Sequence, residues 1–170
     1  MKSPDVNDAF EQRARIFCGV LESGFGTGKE ALRTIRGVLL PLYTAALDLP
    51  LPRDPGDDLP EDRERTRQKR RGIKQRLPKA GFQDPFWVVF YPLNLEQPEP
   101  VISTLSDCLA NIWRDLKPGL EALDTDREKH LHRVLWEWRF GFLSHWGRHA
   151  IDALRAIHFQ LEDFEQEDAR

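Results

Sequence analysis

The sequence predicts an all-α fold: a mostly antiparallel helical bundle of four long helices, accompanied by a short basic helix and an extended aromatic segment. Apolar residues recur at three-to-four spacing along most of the chain. The one aromatic, β-branched run has no convincing partner strand, and an isolated strand does not hold itself together. Proline and glycine clusters separate the periodic stretches, as connections between helices require. Of the 170 residues 40% are hydrophobic, with ten Phe, five Trp and two Tyr, so the chain can close one core. A single helical-bundle domain over 1–170 is therefore expected.

The first helix is expected to begin at "SPDV", with Ser3 as N-cap and Pro4 in the first turn, where a missing N–H costs nothing. Val6, Phe10, Phe17, Val20 and Leu21 share one face of it. "SGFGTGKE" closes that helix, and a capping box from Thr27 to Glu30 opens the second. Leu32, Ile35, Leu39, Leu42, Tyr43 and Ala46 lie in register there, and Pro41 should kink it. Residues 49–62 form an exposed, acidic, proline-rich loop. Residues 63–78 read as the short basic helix, anchored by Ile73 and Leu77. "DPFWVVFYPLN" is the extended aromatic segment, laid across the helices.

A further helix starts near Ser103, with Leu105, Leu109, Ile112, Leu116 and Leu120 aligned; Pro118 and Gly119 bend or interrupt it. "TDRE", 125 to 128, is a second capping box, from Thr125 to Glu128. From there one stripe runs through Leu131, Leu135, Trp138, Phe142, Trp146, Ala150, Ala153, Ile157, Leu161 and Phe164 towards an acidic tail at 165–170. Trp136, Phe140 and Leu143 give its first half a second apolar side, which places this helix centrally. Gly141 and Gly147 let it bend.

The net charge of −3 is mild, but the charges are unevenly placed. "RERTRQKRRGIKQR" carries eight Lys or Arg against one Glu, and the preceding residues 53–62 carry Asp54, Asp57, Asp58, Glu61 and Asp62. The two blocks can largely cancel. With no groove-reading motif and no interleaved aromatics, the basic run reads first as a solvated face, second as a docking site for an acidic partner, and third as a nucleic-acid contact. No basic-then-apolar leader opens the chain and no run of about 18 apolar residues could span a membrane. Cys18 and Cys108 sit among apolar helical residues, as buried thiols of a reducing compartment do. A cytoplasmic protein is expected.

"GFGTGKE" is no phosphate loop: Ser23 stands where the pattern needs glycine, Glu30 where it needs a hydroxyl, and the segment follows a helix. "HWGRHA" is more informative. His149 falls within the apolar stripe and His145 on its flank, so at least one imidazole should be buried and hydrogen-bonded. The facing helix offers Thr104, Cys108, Asn111 and Asp115 along one flank. A contact from Asp115 to His145 or His149 would tie two helices together as a structural polar core. As an alternative the same three residues could ligate a metal. No catalytic set and no cofactor motif is legible.

"STLSDCLANIWRDLKPGL" followed by "WEWRFGFLSHWGRHAIDALRAIH", with "FCGVLE", "LLPLYTAALDLP" and "FWVVFYPL" before them, resembles a family of bacterial proteins, the DUF5063 family. That family often shows two consecutive acids where this chain has Asp107 then Cys108. The resemblance implies a bacterial, soluble, helical protein and brings no catalytic residues with it.

The leading functional reading is a non-enzymatic protein-binding module, of inhibitor, immunity or adaptor type, acting on an unidentified charged protein. Its contacts would be Arg63, Arg67, Arg70, Arg71 and Lys74 on the basic helix and Glu162, Asp163 and Glu165 near the C-terminus. The alternative is a metal- or small-ligand-binding bundle centred on His145, His149 and Asp115. Nucleic-acid binding through 63–76 ranks last.

Overall fold

Each long periodic stretch is a helix in a computed structural model of the protein, which describes residues 6–53, 56–60, 62–96 and 99–168. The order is α1 (Val6–Ser23), α2 (Gly28–Leu47), α3 (Arg63–Arg76), β1 (Pro85–Val89), β2 (Pro100–Thr104), α4 (Leu105–Thr125), α5 (Arg127–Gly141) and α6 (Gly147–Asp168). A short 3₁₀ turn (Leu77–Ala80) follows α3, and one π turn (Phe142–Trp146) joins α5 to α6. The bundle is helical as expected, with one small sheet. The expected cap at Ser3 and Pro4 lies outside the described residues, as do Asp54 and Glu61. Among the described residues no helix is long and apolar enough to cross a membrane.

The core is built from the anticipated stripes: Phe10, Phe17 and Leu21 of α1, Leu32, Ile35, Leu39 and Leu42 of α2, and Trp138, Trp146, Ala150 and Ile157 of the C-terminal helices are buried. The central element differs from expectation. It is α4, which packs against α1, α3, α5 and α6. The second apolar side of α5 does not meet another helix; Phe140 and Leu143 are exposed, and Trp136 stacks on Phe140 with ring centroids 4.8 Å apart. Buried Ser106 and Asn111 make α4 look more amphipathic in sequence than it is in space.

The aromatic segment is a strand, and the reading of it as an unpaired extended run is corrected. β1 pairs antiparallel with β2, Trp87 opposite Ile102 and Val89 opposite Pro100. The partner "PVIST" is only five residues long and runs straight into α4, so the helical pattern expected from Ser103 overlaps its end. Asp84 closes the base of this hairpin: its carbonyl accepts from Leu105 N, and its carboxylate accepts from Ser106 N and Oγ at 2.7 and 2.8 Å.

Neither internal proline ends its helix: α2 continues through Pro41 and α4 through Pro118. Gly119 serves close packing instead, since a Cβ there would stand 2.6 Å from Trp138 Nε1. The capping residues also differ. Thr27 makes no side-chain cap bond, and α5 is capped by Asp126, whose carboxylate accepts from Lys129 N, while Thr125 turns back to the Glu121 carbonyl. Arginines close two helix C-termini where orphan carbonyls need donors. Arg76 donates to the carbonyls of Leu21 and Glu22 on α1, and Arg139 to those of Ala46 and Leu47 on α2.

Candidate functional site

The site begins with the π turn. An α-helix repeats every 3.6 residues, yet Trp138, Phe142, Trp146 and Ala150 are spaced four, four and four and all are buried. Three such steps in a straight helix would carry the stripe about 120° around the axis. The wider π turn absorbs the excess and keeps all four side chains on the core side. Its ends admit no side chain: a Cβ on Gly147 would lie 2.3 Å from the Phe142 carbonyl oxygen, and one on Gly141 would lie 2.9 Å from Trp146 Cδ1. That run of fours was the sequence signal for the turn.

His145 projects from the π turn towards α4. Its Nδ1 is 2.5 Å from Asp115 Oδ2. Arg114 donates to the other carboxylate oxygen, Oδ1, at 2.9 and 3.0 Å, and its terminal nitrogen lies 3.4 Å from both ring nitrogens of His145. The expected tie between the helices is therefore present, made by His145. His149 is half-buried rather than sunk in the core, and its Nε2 faces His145 Nε2 at 3.3 Å with the rings edge to face. Burial, and then the neighbouring His145, push its pKa down from 6.5 to about 4.

Beyond His149 the polar chain continues through residues the sequence did not connect. Asn111 Nδ2 is 3.5 Å from His149 Nε2 and donates to Asp107 Oδ2 at 3.2 Å. Asn111 Oδ1 accepts from Arg70 at 2.9 and 3.1 Å. Asp107 Oδ1 accepts from Arg70 and from Lys74, both at 2.8 Å. Burial alone would raise the Asp107 pKa, but the Lys74 hydrogen bond and the two nearby cations hold it below the usual carboxylate value. Positions 107, 111 and 115 share one face of α4, while 70 and 74 share one face of α3. Only the tertiary packing reveals that these faces meet.

The basic helix is thus no uniform solvated face. Arg70 and Lys74 dock α3 on α4, Lys69 pairs with Glu121, and Arg67 and Arg71 remain exposed near Glu64. Glu162, Asp163 and Glu165 are exposed on α6, and the stretch expected as a tail is helix as far as Asp168, which pairs with Lys29. Cys18 and Cys108 are buried free thiols, and burial lifts Cys108 to about 12.

A cleft of about 580 Å³ opens between α4, α5 and residues 58 and 59 of the loop. Arg63, Arg114, Arg133, Asp115, Glu137, Phe140 and His145 line it. Arg133 bridges Asp58 at 2.9 Å and Glu137 at 2.6 Å, and its Nε is buried without a partner among the described residues. The metal-ligand alternative does not assemble as a three-ligand set. Asp115 takes the Nδ1 edge of the His145 ring and His149 faces the Nε2 edge, so the three groups do not converge on one point. Among the described residues no group of three or more His, Cys, Asp or Glu could hold a metal ion.

Residues 2–163 match a family described as "Domain of unknown function (DUF5063)". The fold is similar to the crystal structure of protein BF1032 from Bacteroides fragilis, with a TM-score of 0.69, 24% sequence identity and 91% of each chain covered. No curated protein matches the sequence.

Proposed function

The chain belongs to the DUF5063 family, and we propose that its α4–α5 cleft binds a small polar molecule against a wall that carries the linked His145–Asp115 pair. The observation that carries this is the placement of the His145–Asp115 pair in the wall of a cleft of about 580 Å³. A histidine held at Nδ1 by a carboxylate and at Nε2 by His149 is fixed in direction, so the cleft wall offers a ligand one constant polar shape. The π turn supports the same reading, because such turns concentrate at functional sites.

The lining supports one ligand class. Arg63 and Arg114 suit a carboxylate or phosphate, Asp58 and Glu137 suit an amine, and Phe140 with Leu59 and Pro118 offers apolar contact. A small zwitterion with an apolar part satisfies all three. Titrating the purified protein with amino acids and related zwitterions, by calorimetry and thermal shift, tests this. Saturable binding that is lost in Asp115→Asn and His145→Gln is expected. The absence of binding, or binding indifferent to both changes, would overturn it.

A second reading, a module for a charged protein partner, is supported by Arg67 and Arg71 on α3 and by Glu162, Asp163 and Glu165 on α6, all exposed. It is tested by salt-sensitive capture from a host extract that charge reversal at Arg67 and Arg71 abolishes. A bacterial source and a cytoplasmic location are part of the proposal, the location resting on two buried, unpaired thiols.

A further inference from the structure

The β1–β2 hairpin is apolar on both faces, unlike the usual antiparallel ribbon. Phe86 and Val88 face the bundle, as an inward row should. The outward row is also apolar: Trp87 and Ile102, paired across the strands, are each 65% exposed, and Val89 and Pro100 stand beside them. Antiparallel sheets with one wet face normally carry polar residues there. The connection adds exposed Phe90 and Tyr91, with Leu93 93% exposed and Leu95 87% exposed. On the α6 side, Trp87 and exposed Phe159 line one groove with Arg155 and Asp163, so the apolar surface is continuous from hairpin to helix.

With ordinary aromatic side-chain areas of about 150–250 Å², these exposed groups amount to roughly 1,000 Å². A typical monomer's largest apolar patch is about 300–600 Å². A stable interface needs about 800 Å² from each partner. We infer that this face is a homodimer interface, and that its occupant is the same face of a second copy, packed across a two-fold axis.

Three features select that occupant. The rim carries both signs, Arg148 and Arg155 against Asp163 and Glu96, so a two-fold can oppose arginines of one copy to carboxylates of the other. A partner surface of one sign, including an anionic membrane, would meet like charge on half of this rim. Lateral addition of a peptide strand is blunted, since Pro85 and Pro100 each lack the N–H that strand pairing uses. Arginine also already lies over the aromatic surface, Arg148 at 4.7 Å from the Phe90 centroid and Arg155 at 5.8 Å from that of Phe159. Aromatic and arginine side chains are those that carry most binding energy in interfaces. This inference does not depend on what the cleft binds.

Sedimentation velocity across a wide range of concentration tests it on the full chain. The wild-type protein should run at twice the chain mass and melt at a temperature that rises with concentration, and Trp87→Asp should halve that mass with its far-UV spectrum kept and that concentration dependence lost. Ile102→Asp and Leu93→Asp provide the same reading if Trp87→Asp fails to fold, and Arg67→Glu, on α3, should leave the dimer intact. A wild-type protein that stays monomeric overturns the proposal and leaves the face to another protein or to lipid. A dimer that survives all three hairpin substitutions overturns it equally, by placing the interface elsewhere.

Discussion

His145 and His149 meet Nε2 to Nε2 at 3.3 Å, His145 being held at Nδ1 by Asp115 while Asn111 Nδ2 approaches His149 at that same Nε2. Two unprotonated nitrogens would repel at that distance, so one hydrogen has to lie between them. The Asn111 amide is oriented by Arg70 at its oxygen and by Asp107 at its nitrogen, which leaves a donor facing His149 Nε2. His149 Nε2 is then the acceptor and His145 the donor. A second proton on His149 has nowhere favourable to go.

Stability should accordingly fall as pH drops from 6.5 towards about 4. The folded-state pKa of His149 lies below its unfolded value, so the unfolded chain binds more protons in that window and unfolding is favoured as pH falls. Below about 4 both states carry the proton and this contribution levels off. With one side of the ring in solvent, a loss of about 1–2 kcal/mol is expected. Urea unfolding of the wild type and His149→Gln across this range checks it: the variant should show the shallower dependence.

Asp115 and His145 should be energetically coupled. A double-mutant cycle of Asp115→Ala and His145→Ala is expected to give about 1–2 kcal/mol, the worth of a charge-assisted hydrogen bond between half-buried groups. Additive losses would mean that the 2.5 Å contact contributes nothing beyond the separate packing of each side chain.

Gly147→Ala should destabilise by about 1–3 kcal/mol, because the new methyl group meets a backbone oxygen that cannot move aside alone. Gly37→Ala is the control within the same fold. It meets nothing within 4 Å on an exposed face of α2, and replacing a mid-helix glycine there should stabilise by about 0.5–1 kcal/mol. Thermal melts of the two variants should move in opposite directions.

Arg70→Ala should cost about 2 kcal/mol, since it strips donors from both Asn111 Oδ1 and Asp107 in a partly buried place. Arg67→Ala, one turn away and exposed, should change stability by less than about 0.5 kcal/mol. Denaturant midpoints of the pair would separate a docking arginine from a solvated one.

The helices were legible because an amphipathic stripe is a local property, written at three-to-four spacing wherever Leu32, Ile35 and Leu39 or Leu105, Leu109 and Ile112 recur. Asp115 was legible as a partner for one of the two histidines because it flanks its stripe on the facing helix, but which of His145 and His149 it holds was decided only by the π turn. The hairpin was not legible, since β2 is short and its last residue caps α4, so that the helix signal overran it. Nor was the role of Arg70 and Lys74: eight cations in a row look alike until α3 is laid against Asp107 and Asn111. The centrality of α4 was hidden by its buried polar residues, since Ser106 is partnered by Asp84 before β1 and Asn111 by Arg70 of α3.

The π turn has a consequence for how this protein can change. It makes the C-terminal helical stretch one residue longer than its own winding requires. Excising a single residue between Phe142 and Trp146 would return the spacing there to four, three and four, and both ends of the core stripe would still find their places. What would disappear is the bearing of His145. The instructions for folding and for the histidine are therefore carried by separable letters of one helix. The cleft can be silenced, or given different chemistry, without renegotiating the bundle that holds it.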